Sequence, residues 1–395
     1  MLRSAKLLPR LAQDVFQTSH WASRVVRHRS SLPSVHELAK MSLAEVEKVV
    51  EEGEMTLDWT KELSAYMMSL KPLPKPVVMH VLKRAKALFQ AQENVLDMHC
   101  CGAEEPSRLT VVGDTHGQYF DMMNLFSDKV AGFPSPSNPY IFNGDMVDRG
   151  VYSFEVIFAL LAIKIASPSS VEILRGNHET SDMNAIYGFE KQVLGAYDKE
   201  VLRATRDCFQ TLPIGATINN KVFVVHGGLG KETYNMSIAE INELDRFVDS
   251  PKFPSALSEL LWSDPSDKIA GLSPNKQRGA GWLFGKEASQ IFLHRNQLEL
   301  IIRSHEVRMN GFSVHHDGLC ATVFSAPNYC DSVGNFGAVL QFSARDTAAA
   351  DEENSEEGRT DDESDASGKT RVELSVLQFE SVPHPYLKIV EDVGK

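Results

Sequence analysis

Between residues 105 and 180 the chain alternates short β-branched or aromatic runs with longer apolar segments. Residues 109–112, 140–142 and 171–174 have the length and composition of buried strands, and residues 119–126 and 154–165 the length of helices. The order β-α-β-α-β predicts a parallel sheet with helices packed on it. Each strand run stops abruptly at a polar string. The strings are Gly113-Asp114-Thr115-His116-Gly117, Gly144-Asp145-Met146-Val147-Asp148-Arg149-Gly150 and Arg175-Gly176-Asn177-His178-Glu179. Open α/β sheets place their ligands at these carboxyl ends. Further strand-like runs at residues 221–225, 300–302, 321–324 and 338–342 have little helix between them. They predict a second, partly antiparallel sheet, and so an α/β fold with a central β-sandwich of mixed sheets flanked by helices. Two of these later runs end in His226-Gly227-Gly228 and Arg303-Ser304-His305-Glu306.

The flanks differ in character. Residues 36–100 form a predicted helical segment packed on the core. Ser42-Leu43-Ala44-Glu45 spells a capping box for a short helix ending near Gly53. Pro76 precedes Val77, Val78, Val81, Leu82, Leu88 and Phe89 at helical period. Residues 1–35 are rich in Arg and Ser, with Leu7, Leu8, Leu11 and Val15 on one helical face. Such a leader is expected to be either disordered or a targeting segment, and its composition fits a mitochondrial presequence. Residues 346–369 are almost all Asp, Glu, Ser, Thr, Gly and Ala, too polar to offset the entropy of ordering. They are expected to be a disordered insertion between two strands of a hairpin at 338–342 and 372–379, leaving 101–345 and 370–390 as one catalytic domain.

Composition narrows the classes. The 395 residues are 43% hydrophobic and 24% charged, as in an ordinary globular protein. No stretch approaches the roughly 18 apolar residues of a membrane helix, so no membrane is expected. The formal charge is −13. Residues 346–365 contribute −9 of it and residues 1–32 contribute +5, so the remainder stays acidic, which argues against a nucleic-acid partner. Five cysteines without framework spacing suggest reduced thiols and a cytoplasmic address, with the nucleus included and the mitochondrion as the alternative suggested by the leader.

The polar strings carry the chemistry. Taken singly, Asp114 and Asn177 suit tight turns, and His226 suits a satisfied core histidine. Five such strings at strand ends point instead to a dinuclear hydrolytic centre, in which two cations clamp a phosphoryl group and lower the pKa of bound water. Asp114 and His116 would face one cation, Asp145 would bridge, and Asn177, His226 and His305 would complete the second. This nitrogen-and-oxygen set suits Mn, Fe or Zn better than Ca. His178 is then free to protonate a leaving alkoxide, with Asp148 orienting its ring, while Arg149 and Arg278 can grip phosphate oxygens through planar forks.

GDTHG, GDMVDRG and RGNHE match the signatures GDxHG, GDxVDRG and GNHE of the phosphoprotein phosphatases, metal-dependent serine/threonine phosphatases. HGG, LLWSDP, RSHE and SAPNYCD follow in that family's order from about residue 105 to 343, and the match resumes at Val382-Pro383-His384-Pro385. The chain resembles the catalytic domain of the type-5 branch most. The resemblance implies a calcineurin-like metallophosphoesterase fold and direct attack of a metal-bridging hydroxide on phosphoserine or phosphothreonine. It implies Asp114, His116 and Asp145 at one divalent metal and Asp145, Asn177, His226 and His305 at the other. It further implies His178–Asp148 as the acid pair, and Arg149, Asn177, Arg278 and Tyr329 as phosphate-binding residues, with Trp262 and Cys330 beside the pocket. The segment before Arg278 matches only loosely. Expected partners are phosphoprotein substrates. No W-x-x-L-G pattern precedes the core, so the type-5 branch's helical repeats, with their chaperone docking and autoinhibition, are not implied. The competing expectations are a phosphoesterase for nucleotides or nucleic acid, and a phosphoprotein-binding pseudophosphatase.

Overall fold

The computed structural model of the protein describes residues 23–28, 42, 44–47, 54–102, 105–345 and 371–385. Two six-stranded sheets carry the fold. The first runs Ser23–His28, Arg371–Phe379, Gly337–Arg345, Arg108–Val112, Tyr140–Asn143, Val171–Leu174 in spatial order. The second runs Phe312–His315, Cys320–Val323, Leu300–Arg303, Val222–Val225, Gly215–Ile218, Val95–Met98. The three polar strings of the β-α-β-α-β unit follow parallel neighbours Arg108–Val112, Tyr140–Asn143 and Val171–Leu174, so they emerge side by side.

The period of two along each strand sorts side chains into layers. Val111, Ile141 and Leu174 from the first sheet meet Val222, Val224, Ile302 and Val323 from the second, forming the sandwich interior. Tyr140, Phe142 and Ile173 point the other way, into a core shared with helices Leu57–Met68, Lys75–Gln90 and Ser153–Ala166. Phe223, Val225 and Ile301 point outward from the second sheet against helices Ala256–Trp262 and Lys286–Asn296. Apolar residues on both faces explain why these strands read as continuous hydrophobic runs.

Three expectations need correction. The run at 338–342 was expected in the second sheet, yet Gly337–Arg345 lies antiparallel to Arg108–Val112 in the first. Ala338, Leu340 and Phe342 fill the sandwich while Val339 packs towards the helices, as a central strand requires. Its hairpin partner Arg371–Phe379 pairs in register from Gly337↔Phe379 to Arg345↔Arg371. The segment 36–100 is not wholly helical, because Val95–Met98 pairs parallel with Gly215–Ile218 at the edge of the second sheet. The supposed leader 1–35 also contributes structure: Ser23–His28 pairs parallel with Arg371–Phe379. The Arg27 guanidinium lies 4.5 Å from the Phe336 ring centroid, and its Nε donates to Gln378 Oε1 at 3.2 Å. The rest of the leader, the end of the first predicted helix near Gly53 and the acidic insertion lie outside the described residues.

The capping box is present: Ser42 N donates to Glu45 Oε2 at 2.7 Å and Glu45 N to Ser42 Oγ at 3.3 Å. Helix Lys75–Gln90 buries Val77, Val78, Val81, Leu82, Ala85 and Phe89, the predicted stripe with Leu88 only partly covered. This stripe packs on helices Ser153–Ala166 and Lys199–Phe209. Phe89 is fully buried there, and Phe89→Ala is expected to cost about 3–5 kcal/mol through lost transfer energy and a residual cavity. A urea titration of parent and variant measures this; a midpoint shift equivalent to less than about 1 kcal/mol would show a looser layer. No described helix is long and apolar enough to cross a membrane.

Candidate dinuclear metal site

Close approach of bare backbone brings the strings together. Gly144 has φ +83°, and a Cβ there would stand 2.5 Å from Gly176 Cα. A Cβ on Gly176 would stand 2.3 Å from Asp145 Oδ1. Only glycine lets these two loops touch, and their contact is what sets Asp145 beside Asn177. His116, Asp145 and His305 have φ of +39°, +54° and +68°, left-handed values uncommon for residues with a Cβ. Neighbouring loops hold them there. Thr115 N and His116 N donate to Asp145 O at 3.1 and 3.0 Å, and Gly117 N donates to Met146 O at 2.9 Å. Such conformations cluster at functional sites because the surrounding structure has to over-determine them.

The expected ligands converge and are buried. Ligand atoms of Asp145, His226 and His305 all lie within 4.8 Å of one another, as do those of His116, Asp145 and His178. His116 Nε2 is 3.7 Å from both Asp114 Oδ2 and Asp145 Oδ2. His226 Nε2 lies 2.9 Å from Asn177 Oδ1, 3.3 Å from Asp145 Oδ1 and 3.2 Å from His305 Nδ1. Asp114 Oδ1 accepts from His305 N at 2.9 Å, which ties the last ligand to the first.

The donor set suits cations. His116 Nδ1 bonds to Val147 O at 2.9 Å and His226 Nδ1 to Asn143 O at 2.8 Å. Those carbonyls can only accept, so each Nδ1 carries a proton and each Nε2 points inward, where a cation can take its lone pair in place of a second proton. Around His226 Nε2 an amide oxygen, a carboxylate oxygen and a second imidazole nitrogen then face one another with few protons among them. A cation satisfies all of them at once.

Electrostatics give the same picture. Burial and the Asp145 charge push Asp114 up to about 7. Asp145 is buried too, but His226 and His178 hold it well below the usual carboxylate range. Burial opposes a charge on His226, yet Asp145 overcomes it and raises the imidazole to about 9. Burial and His178 press His116 down to about 4, and burial with Arg278 keeps His305 well below the usual range. Without metal, His226 therefore keeps its proton up to about pH 9, and a cation has to displace it. Affinity for Mn²⁺ is expected to rise roughly tenfold per pH unit between about pH 7 and about pH 9, more steeply below about pH 7 where Asp114 must also lose a proton, and to flatten above. Calorimetric titration across that range checks it; a pH-independent affinity would remove His226 from the ligand set.

Beside the cluster sits His178. Its Nδ1 is 2.8 Å from Asp148 Oδ2 and its Nε2 is 4.0 Å from Asp145 Oδ2. Burial disfavours the charged ring, but Asp145 and Asp148 outweigh burial and raise its pKa. Asp148 is fully buried and accepts from Phe189 N at 3.0 Å and Asn184 Nδ2 at 3.3 Å. Arg149 is exposed, with its guanidinium 3.8 Å from the Tyr187 ring centroid. The Tyr187 ring is itself 5.2 Å from His178. Arg278 is held by the Asp264 carboxylate, and its Nη2 donates to His305 O at 3.0 Å. The Tyr329 ring lies 5.2 Å from His116, and Trp262 meets His305 edge-on at 5.7 Å. Cys330 is exposed next to Tyr329.

Several positioning groups escaped the sequence reading. Glu179, at the end of its string, accepts from Asp145 N and Gly176 N at 2.8 Å and from Met146 N at 2.9 Å, so it braces both ligand loops. Asn143 holds His226 through its carbonyl and donates to Val225 O and Ser304 Oγ at 2.9 Å. Buried Arg303 donates to Gly227 O at 2.7 Å and to Asp264 Oδ1 at 2.9 Å, and Asp264 in turn sets Arg278. Glu179 and Arg303 stood within the motifs as charged residues without a ligand role, which was the available signal.

A sandwich carrying such a cluster at its strand ends has the architecture of a metallophosphoesterase. The sequence model of the calcineurin-like phosphoesterases matches residues 107–309. The chain is 40% identical over 341 residues to serine/threonine-protein phosphatase T of Schizosaccharomyces pombe, covering 86% of this chain and 65% of that protein. It is 39% identical over 297 residues to serine/threonine-protein phosphatase 5 of Homo sapiens, covering 75% of this chain and 58% of that one. A solved protein serine/threonine phosphatase from Saccharomyces cerevisiae superposes with a TM-score of 0.71 at 34% identity, covering 88% of this chain and 98% of its own. The chain belongs to the calcineurin-like phosphoesterase family. It spans under two thirds of the length of the two relatives from S. pombe and H. sapiens.

Proposed function

We propose that the protein is a serine/threonine phosphatase that hydrolyses phosphoserine and phosphothreonine in protein substrates. Asp114, His116 and Asp145 would hold one divalent ion, and Asp145, Asn177, His226 and His305 the other. Mn, Fe or Zn suit these nitrogen and oxygen donors. When bound, two such ions supply Lewis acidity towards the phosphoryl group and a nucleophile from water near neutral pH. His178 Nε2 faces the same crevice and delivers the proton that the departing Ser or Thr oxygen needs. Asp148 fixes the ring by taking the Nδ1 hydrogen and favours its charged form. Arg149, Arg278 and Asn177 would hold phosphate oxygens, with Tyr329 beside them.

The observation that supports this reading above others is the His178–Asp148 pair set 4.0 Å from a candidate bridging carboxylate. It provides an acid in addition to a metal cluster. Relatives named serine/threonine phosphatases favour a phosphoprotein substrate. Turnover of a phosphoserine peptide, compared with a dinucleoside polyphosphate on the metal-loaded protein, tests the substrate class. Faster cleavage of the peptide is expected; preference for the nucleotide would overturn it, and no turnover of either would favour a binding role.

A further inference from the structure

Beyond the last sheet strand, residues 382–385 run back along helix Tyr119–Leu125 to the loop that carries Tyr329. Val382 N donates to Asp121 Oδ1 at 2.8 Å. Gln118 Nε2 donates to Asp121 Oδ2 at 2.8 Å and to Pro327 O at 2.7 Å, joining this segment to the loop. The His384 ring packs 6.4 Å from Phe120 and 5.9 Å from Tyr152, and the Tyr152 hydroxyl donates to Pro385 O. His384 Nε2 then reaches Asp331 Oδ1 at 3.1 Å.

The loop needs such support. Asn328, Cys330 and Asp331 have φ of +43°, +52° and +54°. Left-handed backbone at residues with a Cβ is strained and persists only where the surroundings enforce it. Internal bonds supply part of the hold: Tyr329 N donates to Asn335 Oδ1 at 2.8 Å and Gly334 N to Asn328 Oδ1 at 3.0 Å. The outer side is held by Gln118 and His384. Tyr329 stands between Phe324 and the imidazole of His116, at 5.2 Å from each, so a shift of the turn moves the wall of the site.

We propose that His384 is a positioning residue: through Asp331 it holds the 328–331 turn, and with it Tyr329, against His116. Its effect on catalysis rests on the phosphatase reading above; its effect on the turn does not. The Asp331 side chain is 49% exposed, so the ion pair adds little to global stability and its loss loosens the turn alone.

The test uses the full chain with His384→Ala, His384→Gln, Asp331→Asn and the double variant. Amide hydrogen exchange reads the turn directly. In His384→Ala, exchange at Tyr329 and Gly334 is expected to quicken at least tenfold, with Thr115 and His116 unchanged. With a phosphoserine peptide, kcat/KM is expected to fall roughly tenfold at unaltered metal content, in line with the cost of small misplacements. His384→Gln, which keeps a donor to Asp331, should recover most of the loss, and the double variant should be no worse than His384→Ala. Unchanged exchange at Tyr329 in His384→Ala overturns the proposal, as does quickened exchange with parental kcat/KM. If the parent cleaves no phosphopeptide, the phosphatase reading fails and exchange alone decides the hold on the turn. Should His384→Ala not fold, Asp331→Asn carries the same comparison.

Discussion

His178→Asn is expected to lower kcat on a phosphopeptide by about 10²–10⁴-fold, the usual contribution of a positioned general acid. That range corresponds to about 3–5 kcal/mol of transition-state stabilisation. Metal content should stay at the parental level, because the proposed ligand sets do not include His178. The geometry leaves room for the opposite result, since His178 also lies within 4.8 Å of ligand atoms on His116 and Asp145. A variant that lost one ion per chain would make His178 a ligand and remove it from the acid role. Asp148→Asn supplies the pH arm. The carboxylates raise the pKa of His178, so the acid stays protonated below that raised value and activity falls as pH rises through it. Removing the Asp148 charge lowers that pKa and should move the basic limb of the kcat profile to lower pH. Bound cations would lower the limb in parent and variant alike, so the sign of the difference survives. A limb that does not move, or moves upward, refutes the pairing.

Asp145→Asn carries the second large effect. Its carboxylate has contacts at 3.3 Å to His226, 3.7 Å to His116 and 4.0 Å to His178. No other side chain is within 4.0 Å of all three rings among the described ion pairs. Asparagine preserves the shape and the oxygen that accepts from His178 N at 2.9 Å, but removes the charge needed by two ions at once. Metal content is expected to fall from two to one or fewer per chain, and kcat by at least roughly 10³-fold, equivalent to about 4 kcal/mol. Elemental analysis beside phosphopeptide turnover measures both. Two retained ions with near-parental turnover would exclude Asp145 as the bridge.

The ligand candidates were legible because each stands where an apolar run breaks, and the break is local. Asp114, Asp145 and Asn177 follow strands that are parallel neighbours, so their convergence needed only the β-α-β order. His226 and His305 come from the second sheet, whose strands Val222–Val225 and Leu300–Arg303 are also neighbours. What stayed hidden depends on long-range pairing. Val95–Met98 becomes a strand only through Gly215–Ile218, and neither segment has a strong pattern alone. Arg278 is set by Asp264, whose two-residue strand Asp264–Pro265 pairs with Trp282–Phe284, a contact no periodicity announces. Glu179 braces backbone amides of two loops and Asn143 ties Val225 and Ser304 across the sheets, pairings that no local spacing announces. The stacking of the exposed Arg149 guanidinium on Tyr187 is likewise a contact that no motif spacing shows.

The parallel pairing of Ser23–His28 with Arg371–Phe379 bears on any maturation of the amino terminus. A processing protease cutting before Ser23 would leave every described strand of the sandwich in place. One cutting after residue 35 would strip its outermost ribbon and present a bare row of peptide groups, a template on which another polypeptide can polymerise.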